Sequence, residues 1–431
     1  MAKKLLELSK EEDASQEVSL TPEVDVTDPE VVSEVVEARS EFEDGFQVAM
    51  EALDSIDRAY GIYGKLITKI QLDANKVKSG TFSKEDLEES VVEFTEDAEE
   101  VGYEPEQDLE TVATESTDPT VGLEALDGER KSLSDRILKG ITNNWENLTN
   151  TFNDIDAYVK LIQNYDVETH KKNLTLLQNG GMVKRSSVVE TSVSDINKKL
   201  AIYYAMGNSK FDTNSFIKHV NLPYELIVNK KLYTDGFKSV YDSLIVSVNN
   251  EKPIPEHKQS IAVLDSFTIP EVREWLNKDT KSGLVSNFIG DKFSIISIFQ
   301  DKKGADTRLD MYTVPKSYYA DKQIGVVSEK DMEAILKTAI ELKPKGTKLA
   351  EVGKKQYWDT MFKSTRSSIA TSLFSYVYGI FAIKRQARQY MVANQYTTGV
   401  IRALLHLKKS HINTGMVITK LVSSMYETKT K

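Results

Sequence analysis

The chain has 431 residues, with 66 Asp/Glu against 55 Lys/Arg, a formal net charge of −11 and no cysteine. Length predicts two or three structural units, and the lack of Cys excludes disulfides, thiolate zinc sites and Cys nucleophiles. The net charge hides an asymmetry: residues 1–124 hold 34 acids and 10 bases, whereas residues 125–431 hold 32 acids and 45 bases. Opposite electrolytes in one chain predict an acidic tail or pro-region on a body that meets a polyanion.

Taken in chain order, the N-terminus has no apolar run long enough for a signal peptide. Residues 8–44 are acidic and aperiodic and read as disordered. Phe46, Met50, Leu53, Ile56, Ala59, Tyr60, Tyr63 and Ile67 recur at three- and four-residue steps, which predicts a helix over about 42–77. Residues 78–121 return to acid and are expected to be flexible, offering little apolar surface to the rest. Residues 1–124 therefore read as an acidic, largely flexible segment holding one helix.

Beyond Leu126 the texture changes. Ile137, Ile141, Trp145, Leu148, Phe152, Ile155, Val159 and Ile162 form a helical stripe, and Asn179-Gly180-Gly181 stops the segment. Further helices are expected over Val189 to Met206 and Leu232 to Val248, with a Pro-containing linker at 251–259 and a short helix starting at Pro270. KFSIISIF, RLDMYTV and KQIGVVS predict a small β insertion over about 292–327. Ser328 opens the next helix as N-cap, with Asp331 in the capping-box position, and Pro344 is expected to end it. Long helices are expected over about 349–391 and 394–425. The fold class is mainly α, a helical body with a small β insertion. The units are 1–124, 125–342 and a basic C-terminal set of helices at 343–431. The longest uncharged stretch there, 367–383, has 17 residues. It is short of the ~20 a spanning helix needs, so a buried helix is expected and no stable membrane insertion.

Residues 343–431 carry 16 Lys/Arg and 3 acids, which is the whole positive surplus of the body. Lys384, Arg385 and Arg388 cluster in one turn, and Arg402, Lys408, Lys409 and Lys420 continue along the next helix. Such a face is what counterion release from nucleic acid requires, so these seven are the candidate DNA-binding residues. The competing reading is a solvated face that keeps the chain soluble. Tyr390, Tyr396 and His406 could stack on bases or be partly buried helix residues.

No P-loop, dinucleotide fingerprint, zincin or nucleophile-elbow motif is present. His406 and His411 are five apart and fall on different helix faces, so no shared metal is expected. Asp154 and Asp156 lie on opposite sides of a helix and form no acid/base couple. Neither catalysis nor a cofactor is expected.

One pattern recurs in the acidic segment. Ser, Ala or Gly stands two residues before Glu at Glu11, Glu17, Glu51, Glu85, Glu100, Glu104, Glu115 and Glu124, but only at Glu341 in the remaining 307 residues. AMEALDSID at 49–57 also resembles GLEALDGER at 122–130. An acidic tract rich in small residues accounts for part of this by composition alone. In layout the chain resembles the internal head proteins of phiKZ-like giant bacteriophages. In these an acidic propeptide directs the protein into the procapsid, and the phage prohead protease cuts after Ser/Ala/Gly-X-Glu. Gly122, Leu123 and Glu124, followed by Ala125, match that rule where the charge changes sign.

The resemblance implies a structural protein inside the phage capsid, matured after Glu124 to a basic body of roughly 34 kDa, taking mass as proportional to length. It implies three partners: the prohead protease, packaged double-stranded DNA, and other internal head or capsid proteins. Two other functions remain open. One is an assembly scaffold binding coat protein through the 42–77 helix; the other is an ejected, membrane-active protein using 367–383.

Overall fold

The computed structural model describes residues 25–115, 117–225, 243–244, 253–254, 256, 263–275, 279–301, 304–352 and 383–429. The expected helix at 232–248, the 251–259 linker and the 367–383 stretch lie wholly or almost wholly outside these residues. Within them the architecture is mainly α with a small sheet, as composition and periodicity predict.

Three long helices form the frame. Helix α1 (Pro29–Ser79) starts at Asp28, whose side chain accepts from the Glu30 N–H, with Pro29 in the first turn. It ends at Gly80, which takes φ +70°, a left-handed cap that favours glycine. Helix α2 (Lys84–Glu100) opens on a complete capping box between Ser83 and Asp86. A short α3 (Leu109–Glu115) follows, and α4 (Pro119–Gln178) is capped by Asp118 with Pro119 in its first turn. At 1.5 Å per residue, α4 is about 90 Å long and α1 about 77 Å.

The segment expected to be a mostly flexible arm is therefore helical over most of residues 29–115. The physical reason is apolar: α1 buries Phe42, Phe46, Leu53, Ile56, Tyr60, Tyr63, Ile67 and Ile70, and α2 buries Leu87, Val91 and Phe94. Acid-rich composition masked stripes that close against α4, the C-terminal helix Ile383–Met425 and one another. Helix α1 runs beside α4, with Gly45 admitting Ile155 so closely that a Cβ there would lie 3.3 Å from Ile155 Cγ1.

After α4, Gly180 turns the chain at φ +66° and β1 (Met182–Lys184) follows. The expected helix over Val189–Met206 splits at Leu200 into α5 (Glu190–Lys199) and α6 (Ala201–Ala205). The loop at Gly290 enters the break, donating to the Lys199 carbonyl (2.8 Å) and accepting from Ile202 (3.2 Å). Helix α7 (Thr213–Tyr224) is capped by Asp212, and α8 (Pro270–Trp275) matches its expectation.

The sheet is antiparallel in the order β2 (Thr280–Val285), β3 (Lys292–Asp301), β4 (Gly304–Thr313). Strand β2 was not expected, and KQIGVVS at 322–328 is not a strand. It leads instead into α9 (Glu329–Val352), which opens on Ser328 and Asp331 as read from sequence: Asp331 N–H donates to Ser328 Oγ (3.1 Å). Pro344 sits inside α9 rather than ending it.

Helix α10 (Ile383–Met425) is the third frame helix and is followed by β5 (Tyr426–Thr428). Strand β5 pairs antiparallel with β1, with Lys184 opposite Tyr426. The C-terminal end is thereby fixed to the turn after α4. From Val392 onward α10 is buried on nearly every side, the pattern of a central strut rather than a surface helix. It packs on α1, α4, α9 and the sheet, where Gly399 lets Ile296 approach to 3.3 Å of where a Cβ would be.

Candidate functional site

Two features marked in the sequence can be placed: the Gly122–Ala125 segment and the basic C-terminal residues. The first lies in the opening turns of α4. Gly122 and Leu123 are buried, Glu124 is exposed and Ala125 half-buried. A Cβ on Gly122 would lie 2.4 Å from Leu87 Cδ2, so a larger residue where α2 crosses α4 would force the buried Leu87 side chain to move. Peptide bonds in a helix are not in the extended form a protease groove reads. Cleavage after Glu124 thus requires the first turns of α4, held by the Asp118 cap, to unwind.

The recurring small-X-Glu pattern also has a packing origin. In a helix, residues two apart point about 200° apart. Ala49, Ala98, Ala113 and Gly122 are buried, while Glu51, Glu100, Glu115 and Glu124 are exposed. The two similar segments share one register: Ala49 and Leu53 on α1 and Gly122 and Leu126 on α4 are equivalent buried pairs at i, i+4.

Lys384, Arg385 and Arg388 occupy the first two turns of α10. The other four candidate DNA-binding residues do not form an open basic face. Arg402, 9% exposed, reaches both Asp54 and Asp57 of α1 at 2.7 Å. Asp57 also accepts from Thr398 (2.6 Å), and burial pushes its carboxyl up against the pull of Arg402. Lys408, 1% exposed, is paired with Asp156 of α4 and lies over the Phe152 ring. Lys409 is paired with Glu43 of α1 and lies over Phe46. Lys420 meets Asp195 of α5 at 2.8 Å, both side chains being well exposed. Tyr396 is a core residue, and His406 lies edge-on against Phe46 at 5.2 Å.

The sequence treated the two charge classes separately and missed this seam, in which acids of the N-terminal half neutralise bases of the C-terminal helix across 345 or more positions. A faint signal existed: Glu43, Asp54 and Asp57 edge the apolar stripe of α1 instead of sitting opposite it. A second unanticipated ion pair is fully buried. Arg130 Nη2 of α4 meets Asp73 Oδ2 of α1 at 2.8 Å, with side chains 2% and 1% exposed. Ser90 of α2 donates to the same Asp73 oxygen (2.9 Å), so one carboxylate ties three helices. Asp118-Pro119 and Asp28-Pro29 were legible helix starts that went unused.

Four histidines lie in or against the core, and burial holds each well below its ordinary value, near 4. His219 Nε2 lies 2.7 Å from the Phe288 carbonyl and donates to it. His411 Nδ1 hydrogen-bonds the Tyr224 hydroxyl. His170 lines a small cavity between α4, α9 and α10 together with Asp166 and Gly415. Burial lifts Asp166 to about 6 despite the Arg39 guanidinium at 2.7 Å. Among the described residues no group of three or more His, Asp or Glu could hold a metal ion, and no helix is long and apolar enough to cross a membrane. The chain matches no protein-family model, no curated protein and no solved structure.

Proposed function

We propose that this chain is a non-enzymatic structural protein of the internal head of a phiKZ-like giant bacteriophage. In this reading its acidic N-terminal helices cover the basic C-terminal helix until the chain is processed after Glu124 and those helices are then removed from it. The observation that carries the reading is the seam itself: Arg402 and Lys409 are held by Asp54, Asp57 and Glu43, all N-terminal to the Gly122-Leu123-Glu124 triplet. Losing these acids would leave a net positive chain in which Arg402 and Lys409 have lost these partners, and neutralising phosphates is then favourable through counterion release. A scaffold acting through the apolar face of α1 is disfavoured, because that face is already spent on α4 and α10.

Intact-mass measurement of the particle-associated protein tests processing. A chain starting at Ala125 is the expected result, and the full 431-residue chain in mature heads would overturn it. Double-stranded DNA affinity across a salt series tests the masking. Full-length protein should bind weakly, and the processed form recovered from particles more tightly, with a slope of roughly −0.9 in log affinity against log salt for each phosphate neutralised. Equal affinities for the two forms would remove the masking role.

A further inference from the structure

We infer that helices α1 and α2 form a non-covalent subunit docked on the surface made by α4 and α10, so that a break in the backbone between α2 and α4 leaves them in place. The inference does not rest on the proposed function, whose cut after Glu124 lies inside the first turns of α4.

Three observations support it. The first is apolar fit: Phe42, Leu53, Ile56 and Tyr63 of α1 and Leu87 of α2 are at most 1% exposed, and Gly45 and Gly122 bring their helices into contact with Ile155 and Leu87. The second is the buried Asp73–Arg130 pair, which bulk salt screens far less than a surface pair. The third is that the peptide link contributes little. Glu104, Glu106 and Gln107, between α2 and α3, are exposed. The chain just before Gln107 is tied to α4 by its own bonds, from the Tyr103 hydroxyl (2.6 Å) and the Glu106 N–H (3.1 Å) to the Glu129 carboxylate. The ion pairs of Arg402 and Lys409 add a salt-sensitive rim, since Asp54 and Glu43 are more than half exposed. The α4–α10 surface is therefore specific for an amphipathic helix whose apolar stripe is edged by acids. A cut would not by itself uncover the basic helix; a competitor for the rim, or further cutting within α1, would be required.

The test is a full-length chain carrying the recognition sequence of a site-specific protease between Glu106 and Gln107. After complete cutting, the two pieces are run on size exclusion at micromolar concentration in about 0.1 M and about 1 M salt, where the Debye length falls from about 10 Å to about 3 Å. Co-elution in both is expected. Separation at either salt would overturn the inference, and separation only at 1 M would identify a tether held by charge. A second chain with Glu43→Gln and Asp54→Asn, substitutions on exposed side chains that spare the core, should co-elute equally well; its separation would also overturn it. The readout is association alone, so it stands or falls separately from DNA affinity and from the mass of the particle-associated form.

Discussion

Leu53→Ala asks whether the acidic N-terminal half is part of the fold or an attachment to it. Leu53 is 0% exposed in the middle of α1, inside the continuous core that includes α4 and α10. Truncating a fully buried leucine removes its transfer free energy and leaves a cavity that long packed helices close poorly, which together cost about 3 kcal/mol. Val48→Ala on the same helix is the control: Val48 is 51% exposed and its loss should stay within about 0.5 kcal/mol. Urea unfolding followed by helical circular dichroism and by fluorescence of Trp145, buried at 6% on α4, in a background with Trp275→Phe and Trp358→Phe, reads both variants. The expected result is one transition, moved to lower urea by Leu53→Ala in both signals. A loss below about 0.5 kcal/mol, or a separate early transition seen in circular dichroism but not in Trp145, would refute the shared core.

Gly122→Ala should destabilise although Ala is the better helix former, because its Cβ meets Leu87 at 2.4 Å, whereas Gly128→Ala in the same helix, with nothing within 4 Å, should gain up to about 1 kcal/mol; paired thermal melts decide. Asp73→Asn leaves the buried Arg130 with Asp127 (3.1 Å) but without its buried partner and should cost about 3 kcal/mol, while Asp195→Asn at the exposed Lys420 pair should cost less than about 1 kcal/mol. For pH, the histidines at 170, 219, 406 and 411 fall from 6.5 unfolded to about 4 folded, so the unfolded chain binds more protons between those values. Their stabilisation is complete above pH 6.5 and is lost as pH falls towards 4. Asp166, raised to about 6, has the opposite sign, its contribution being present at low pH and lost as pH rises through about 6, and it offsets part of the effect. Urea midpoints should drop between pH 7 and pH 5; a flat profile over that window would count against the buried histidines.

The legibility of the fold followed periodicity. The stripes from Phe46 to Ile67 and from Ile137 to Ile162 were readable because each repeats at three and four residues over many turns, and tertiary packing then uses the same faces. Residues 84–100 were misread because a few buried positions, Leu87, Val91 and Phe94, are embedded among nine acids. Average hydropathy erases such a stripe, while spacing preserves it. Strand β2 was missed because TKSGLV has little alternation and Gly283 serves close packing, its Cβ position lying 2.2 Å from Leu264. The break at Leu200 depends on the Gly290 loop, ninety residues away, and no local signal encodes it. Of the seven basic residues, charge was legible but exposure was not. Arg402 and Lys408 lie on a helix flanked by apolar residues throughout, and that flanking pattern was the available warning.

The change of charge sign at Gly122-Leu123-Glu124 invites a division of the chain into a leader and a body, but the described contacts cross that boundary at several points. Asp73 binds Arg130, Asp57 binds Arg402 and Glu43 binds Lys409. A pair such as Asp73–Arg130, once desolvated, is costly to leave half-made, so each half raises the cost of losing the other. The acid that is not consumed in pairs, much of it on the outer faces of α1 and α2, remains in solvent and keeps the intact chain net negative. An intact chain of that sign is repelled from a polyanion at low salt whatever bases it carries inside. Charge asymmetry along the sequence therefore sets two properties at once: an internal partner for the central basic helix, and a net negative surface that opposes approach to a polyanion.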